Sequence, residues 1–365
     1  MAGMMQTELG QVTEIIQKRT GYTEILVNIH GRLEKAINYD LMTGEVEKGN
    51  HVVLNTTAVI LGLGTGGYHF VLINLSQAEV QIGGAGHIMK LRYTPQQIKT
   101  LSIEEKDSGF TEIFNNFSSL EGLPVIIFSL HSALAPIILS LKSEHPRAKI
   151  AYIMTDGGAL PLKISQNVSE LKESGFLETV ITCGHAFGGD LESVNVFSAL
   201  IAAKEIVQAD VVVIGIGPGH VGTGTKWGFS GIQAGEIINA VNILGGRPLF
   251  SPRISFRDPR PRHQGISHHS ITVLSQVALS PSIVILPYLS ADKNLYIQKQ
   301  IKENSIDRKH TVVWEYGEKG IEMIIENKFR ITTMGRQIDE EKDYFLTACA
   351  AGIYGGKASM EVGFN

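Results

Sequence analysis

The chain has 365 residues, 43% apolar and 19% charged, which suits a globular protein with more than one core. A formal net charge of −4 offers no broad basic field and argues against a nucleic-acid partner. Two cysteines, Cys183 and Cys349, without CxxC spacing exclude a disulfide framework and point to a reducing, cytoplasmic setting.

The start, "MAGMMQTELGQ", lacks the basic and apolar regions of a signal peptide. Short β-runs follow: "TEILVNI", "KAINY", "HVVLN" and "AVILGL", with turns in "MTGEVEKGN". The glycines of "GLGTGG" precede another β-run, "YHFVLINL", and are expected to close a hairpin. This pattern predicts a small antiparallel barrel or sandwich over residues 1–95. "TPQQIKTLSIEE" opens like a helix, with Thr94 as cap and Pro95 in the first turn, and "SGFTEIFNNFSSLEG" reads as a second. Residues 96–123 are therefore expected to be a helical connection. Two uncharged stretches, 52–78 and 122–141, are long enough to span a bilayer. Interior glycines in the first, and Pro124, His131 and Pro136 in the second, argue against a membrane.

From residue 124 to 365 the rhythm changes. Apolar runs "PVIIFSL", "KIAYIM", "LETVITC", "DVVVIGI", "RPLFSPRISF" and "SIVILP" alternate with helical stretches such as "ALAPIILSLKS" and "IQAGEIINAVNIL". "EKDYFLTACAAGIYGG" reads as a closing helix. Strand–helix alternation predicts an α/β, Rossmann-like, doubly wound and mainly parallel sheet. Ligands of such sheets bind beyond the strand carboxyl ends. Six of the twelve histidines (131, 185, 220, 263, 268 and 269) fall in the segments after these runs, with Asp156, Asp190, Glu192 and Asp258. That convergence is the main functional signal.

Within it, Gly217-x-Gly219-x-x-Gly222 follows a strand but lacks the acidic ribose partner of a dinucleotide site. A Walker A loop fails because Lys226 follows Thr225 and not the last glycine. What remains is either an anion nest built on Gly217, Gly219, Gly222, Thr223, Gly224 and Thr225, or a structural loop. "RISFRDPRPRHQGISHHS", residues 253–270, adds Arg253, Arg257, Arg260 and Arg262, whose planar forks match phosphate or carboxylate. If the chain is extended there, Arg260 and Arg262 point the same way, with His263 opposite. A solvated loop is the plainer alternative. A metal site on His263, His268 and His269 competes, but no HExxH or HxH pair is present and no metal is expected. Asp156, His185, Asp190 and His268 are the acid–base candidates. Asp156 also suits a turn cap. "SLHS" and Cys183 near His185 are generic pairs, and "GFSG" lacks the spacing of a nucleophile elbow.

The phrases "GHIMKLRYTPQQ", "SLHSALAP", "YIMTDGGALP", "GHAFGGDLESVNVFSAL", "GPGHVGTGTKWGFSG", "RISFRDPRPRHQGISHHS" and "TTMGR" together resemble an uncharacterised bacterial family, domain of unknown function 3866. The resemblance spans most of the chain from about residue 20 and implies a cytoplasmic protein. It carries over no activity, cofactor or catalytic residue. The residues themselves favour a hydrolase or transferase acting on a small anionic, phosphorylated metabolite. A non-catalytic ligand-binding regulator would use the same pocket. The cofactor is unknown, and a homodimer is compatible with the chain.

Overall fold

The computed structural model describes residues 4–77, 79 and 83–362. The first three residues, read above for a signal peptide, and Ala78, which ends the first uncharged stretch, lie outside them. The chain divides into two units, residues 1–100 and 101–365.

In the first unit, β1 (Thr7–Arg19), β2 (Tyr22–Ile29), β3 (Arg32–Asn38), β4 (His51–Asn55) and β5 (His69–Asn74) close into a barrel in the order β1-β2-β3-β5-β4. The alternative of a sandwich is thereby set aside. All pairs are antiparallel except β3 with β5. Period-two alternation turns Val12, Ile25, Val27, Ile29, Val52, Leu54 and Val71 into the barrel core. A helical turn, α1 (Asp40–Thr43), lies between β3 and β4.

Two expectations fail here for local reasons. "AVILGL" is no strand: the Asn55 side chain accepts from the Thr57 N–H at 3.1 Å and starts the helical turn α2 (Thr57–Ile60). The glycines after it connect that turn to β5, so the antiparallel pair they help to close is β4 with β5 and not one made by "AVILGL". "TPQQIKTLSIEE" is no helix either. Thr94 Oγ1 donates back to the Leu91 carbonyl at 2.8 Å instead of capping forward, and Leu91 and Tyr93 take positive φ. Its first residues lie in the turn between β6 (Ile88–Lys90) and β7 (Ile98–Thr100), an antiparallel pair, and β7 itself falls within the stretch. Of the second helical stretch only α3 (Thr111–Asn116) forms, preceded by a 3-10 turn at Lys106–Ser108.

The second unit is built on eight parallel strands. They are β8 (Pro124–Phe128), β9 (Ile150–Thr155), β10 (Thr179–Cys183), β11 (Leu191–Ser193), β12 (Val211–Ile216) and β13 (Arg247–Ser251). After a small β14 (Ile254–Ser255) and β15 (Gly265–Ile266) pair come β16 (Ile283–Pro287) and β17 (Thr311–Glu315). The sheet order is β11-β10-β9-β12-β8-β13-β16-β17, a Rossmann-like arrangement. All six apolar runs supply strands to it. They read as continuous because helices cover both faces. On one face lie α4 (Leu134–Glu144), α5 (Gln166–Glu173), α11 (Glu318–Glu326) and α12 (Lys342–Val362). On the other lie α6 (Val196–Glu205), α7 (Gln233–Ile243), α9 (Ala291–Glu303) and α10 (Ile306–Lys309). Among the described residues no helix is long and apolar enough to cross a membrane.

The layering positions the site. β8 and β12 are neighbours, yet the chain leaves β8 through α4 on one face and β12 through α7 on the other. Adjacent strands whose connections diverge open a crevice at their carboxyl ends, the place where open α/β sheets bind ligands. Helix α8 (His268–Thr272), which runs on into one π-helical segment (Val273–Val277), belongs to the same edge.

Candidate functional site

After β12, residues 221–230 form a hairpin. The Ser230 N–H donates to the Val221 carbonyl at 2.9 Å and the Thr223 N–H to the Gly228 carbonyl at 2.8 Å. Gly222 and Phe229 are a non-hydrogen-bonded pair between these rungs, so the Gly222 N–H points away from the hairpin ladder. After β13, Arg253 is tied to the start of α8: its N–H donates to Ser270 Oγ at 2.9 Å, and its carbonyl accepts from the Ser267 N–H at 2.9 Å. The two segments expected to form opposite walls therefore meet. A Cβ on Gly222 would lie 3.3 Å from the His269 ring, and one on Gly224 (φ +79) would lie 3.3 Å from Arg262 Nη2. Only glycine lets the hairpin approach this closely.

Four imidazoles fill the contact. Ring centres of His268 and His269 are 4.1 Å apart, His263 and His268 4.9 Å, His263 and His269 5.3 Å, and His220 and His269 5.6 Å. Phe229, which the sequence reading passed over, stacks on His269 at 4.0 Å and 9°. Burial drives the stack toward the neutral form: His269 falls to about 3, helped by its histidine neighbours, and His263 to about 4, helped by Arg253. His268 and His220 are lowered as well, again chiefly by burial. His263 and His269 therefore stay neutral well below the ordinary imidazole pKa of about 6.5.

Asp258 divides the arginines. It is 1% exposed and accepts from Arg260 Nε at 2.9 Å, Arg260 Nη2 at 2.8 Å and Arg253 Nη2 at 3.0 Å. The Arg260 pairing, ahead of Arg253, holds its carboxyl well below the usual range. Arg260, expected to face a ligand, is thus spent on Asp258. It does not point with Arg262 either, because Pro261–His263 is a 3-10 turn and not extended chain. Arg262 and Arg257 remain exposed on this segment.

A family model matches residues 35–352. The chain belongs to the family described as "Protein of unknown function (DUF3866)". The DUF3866 match contains every residue of this cluster. No curated protein matches the chain.

The other candidates of this DUF3866 protein are distributed unevenly. Asp156, after β9, accepts the His185 N–H at 2.9 Å and lies against Gly184, where a Cβ would be 2.2 Å from its carboxylate. This joins the loops after β9 and β10, neighbours of the cluster. The β9 loop reaches the glycine segment through the Ala159 N–H, which donates to the Pro218 carbonyl at 2.6 Å. Asp190 is set apart. It precedes β11, so it lies at the amino edge, where Lys172 and the Val180 N–H hold its carboxylate. His131 is buried between the Ser165 hydroxyl (2.7 Å) and the Ile216 carbonyl (3.2 Å), and burial lowers it to about 4. Ser165 also caps α5, so this Ser–His pair holds the fold together. Among the described residues no three His, Cys, Asp or Glu side chains are arranged to hold a metal ion.

Proposed function

We propose that the protein binds a small anionic, phosphorylated metabolite in the crevice between hairpin 221–230 and segment 253–270, and acts on it as a hydrolase or transferase. The observation that carries this is Arg262: an exposed guanidinium with no carboxylate partner among the described residues, set against the glycine backbone of the hairpin tip at the carboxyl edge. A guanidinium fork beside outward-turned N–H groups complements a phosphoryl group. His268 is the acid–base candidate inside the crevice, where its imidazole is available to accept a proton. His185 and Asp156 would contribute from the adjoining loops. Both cysteines are buried and, among the described residues, neither is in a disulfide, which supports a reducing, cytoplasmic setting.

One observation favours a ligand sensor without turnover. Asp156, Asp190 and Asp258 are each engaged in holding loops or arginines, and a regulator needs no free carboxylate. The experiment is calorimetric titration with phosphate, sugar phosphates and nucleotides, followed by turnover assays on whichever binds. Binding with product release supports the enzyme, and binding without release supports the sensor. No anion binding tighter than millimolar would refute both.

A further inference from the structure

Three buried polar atoms that have no hydrogen-bond partner among the described residues sit together in this cluster: Arg253 Nη1, His268 Nε2 and His269 Nε2. Native proteins leave few such atoms, and a group of them in one place calls for an explanation. Arg253 is 8% exposed, so a cation is held beneath the surface with part of its donor fork unused. The void beside it, lined by Ser129, Arg253 and Tyr344, is about 10 Å³, at the lower bound for one water. It admits no phosphoryl group. The His269 side is different, because what lies against that ring is the hairpin: Gly222 faces it, with a virtual Cβ 3.8 Å from Nε2, and Phe229 stacks on it. The hairpin is held to itself by its own rungs and to the core beneath by Phe229, so lifting it draws that ring out, and its tip carries Trp227, 54% exposed. Lifting it uncovers the histidines without breaking a strand of the sheet.

Building on the anion-site reading, we propose that hairpin 221–230 is a lid over a phosphoryl subsite formed by Arg253, His268 and His269, which takes a phosphomonoester as its dianion when the lid lifts. Arg253 supplies a permanent charge and the two Nε2 atoms supply the remaining donors. The groups that face the histidine pair are Arg253, Arg260, Arg262 and His263 from segment 253–263, and His220 from the β12 loop; Asp258 faces His263, and Tyr344, at the start of α12, faces Arg253. Burial keeps the imidazoles neutral, so a dianion placed on them draws protons from solution. An anion held on Arg262 alone draws none.

The test uses the full chain with methyl phosphate at pH 7.5, where a phosphomonoester is dianionic. Calorimetry in buffers of different ionisation enthalpy counts protons, and a Trp314→Phe variant leaves Trp227 as the only tryptophan reporting from the tip. We expect net proton uptake, a Trp227 emission change that saturates with the calorimetric Kd, and a loss of about tenfold or more in affinity in a His268→Gln/His269→Gln variant. Arg262→Ala should weaken binding yet keep the proton uptake. Binding without proton uptake or a Trp227 response, abolished by Arg262→Ala, would overturn the lid and its subsite while leaving the anion site standing. Absence of any binding would remove both. Should the double variant fail to fold by thermal melt, proton count and Trp227 emission of the intact site decide.

Discussion

Because Asp258 is buried and accepts from both Arg253 and Arg260, neighbouring arginines with the same chemistry have different work. Arg260 makes two of the three guanidinium contacts to this buried carboxylate, whereas Arg262 stands against the glycine backbone of the hairpin tip. Two substitutions should therefore separate stability from binding. Arg262→Ala is expected to weaken phosphate-ester binding by roughly 1.5–3 kcal/mol, the worth of a hydrogen bond to a charged group, with an unchanged melting temperature. Arg260→Ala is expected to leave affinity near wild type and to lower stability by about 1–2 kcal/mol, since Asp258 keeps Arg253. Equal losses of affinity in the two variants would show that Asp258 does not divide them. None of this division was legible in the sequence. Four arginines and one aspartate in a run say that a pairing exists, but which arginine is taken depends on the turn at Pro261–His263.

Among the elements, hairpin 221–230 depends most on the identity of a few residues. Gly224 has φ +79 and its Cα faces Arg262, so Gly224→Ala adds backbone strain and pushes a flexible guanidinium aside. The expected result is about 1 kcal/mol of lost stability by thermal melt, together with weaker anion binding by calorimetry. Unaltered affinity would mean that Arg262 needs no support from the tip. The central strands, by contrast, were plain from sequence, because a strand covered on both faces must be apolar throughout. Strands without that protection were missed. β1 alternates polar and apolar residues and is charged at its end, β11 has three residues, and β17 is an edge strand closing on Glu315. Missing β11 also misplaced Asp190: with the strand starting at Leu191, parallel to β10, the connecting segment has crossed to the amino edge by the time it reaches Asp190. The glycine-rich segment was placed at the right edge, but its hairpin form follows from cross-pairing of Gly222 with Phe229, which no periodicity over ten residues reveals.

For the whole molecule, the buried histidines set a pH limit that carboxylates alone would not. His131 joins the loop after β8 to the end of β12 and the cap of α5, while His263 and His269 fill the cluster on the same edge. Burial lowers His131 and His263 to about 4 and His269 to about 3, against about 6.5 in the unfolded chain. Between those values the unfolded chain binds more protons than the folded one, so stability rises with pH across the window and is lost as pH falls. Above about 6.5 both states carry neutral imidazoles and the contribution is constant. Each histidine adds a slope of at most about 1.4 kcal/mol per pH unit. The melting temperature should accordingly be flat above pH 7, drop progressively from pH 6.5 toward 4, and do so before most carboxylates protonate. His131→Gln should flatten the drop, because it removes one of the groups that must charge on unfolding, and should lower stability at pH 7 by breaking the bond to Ser165. An occupied phosphoryl subsite acts in the opposite direction: it favours protonated His268 and His269, so methyl phosphate should protect more at pH 6 than at pH 8. A melting temperature that stays level from pH 7 to 4.5 in the absence of phosphate would mean that these rings are hydrated, and the basis for both the acid limit and the proton uptake would be gone.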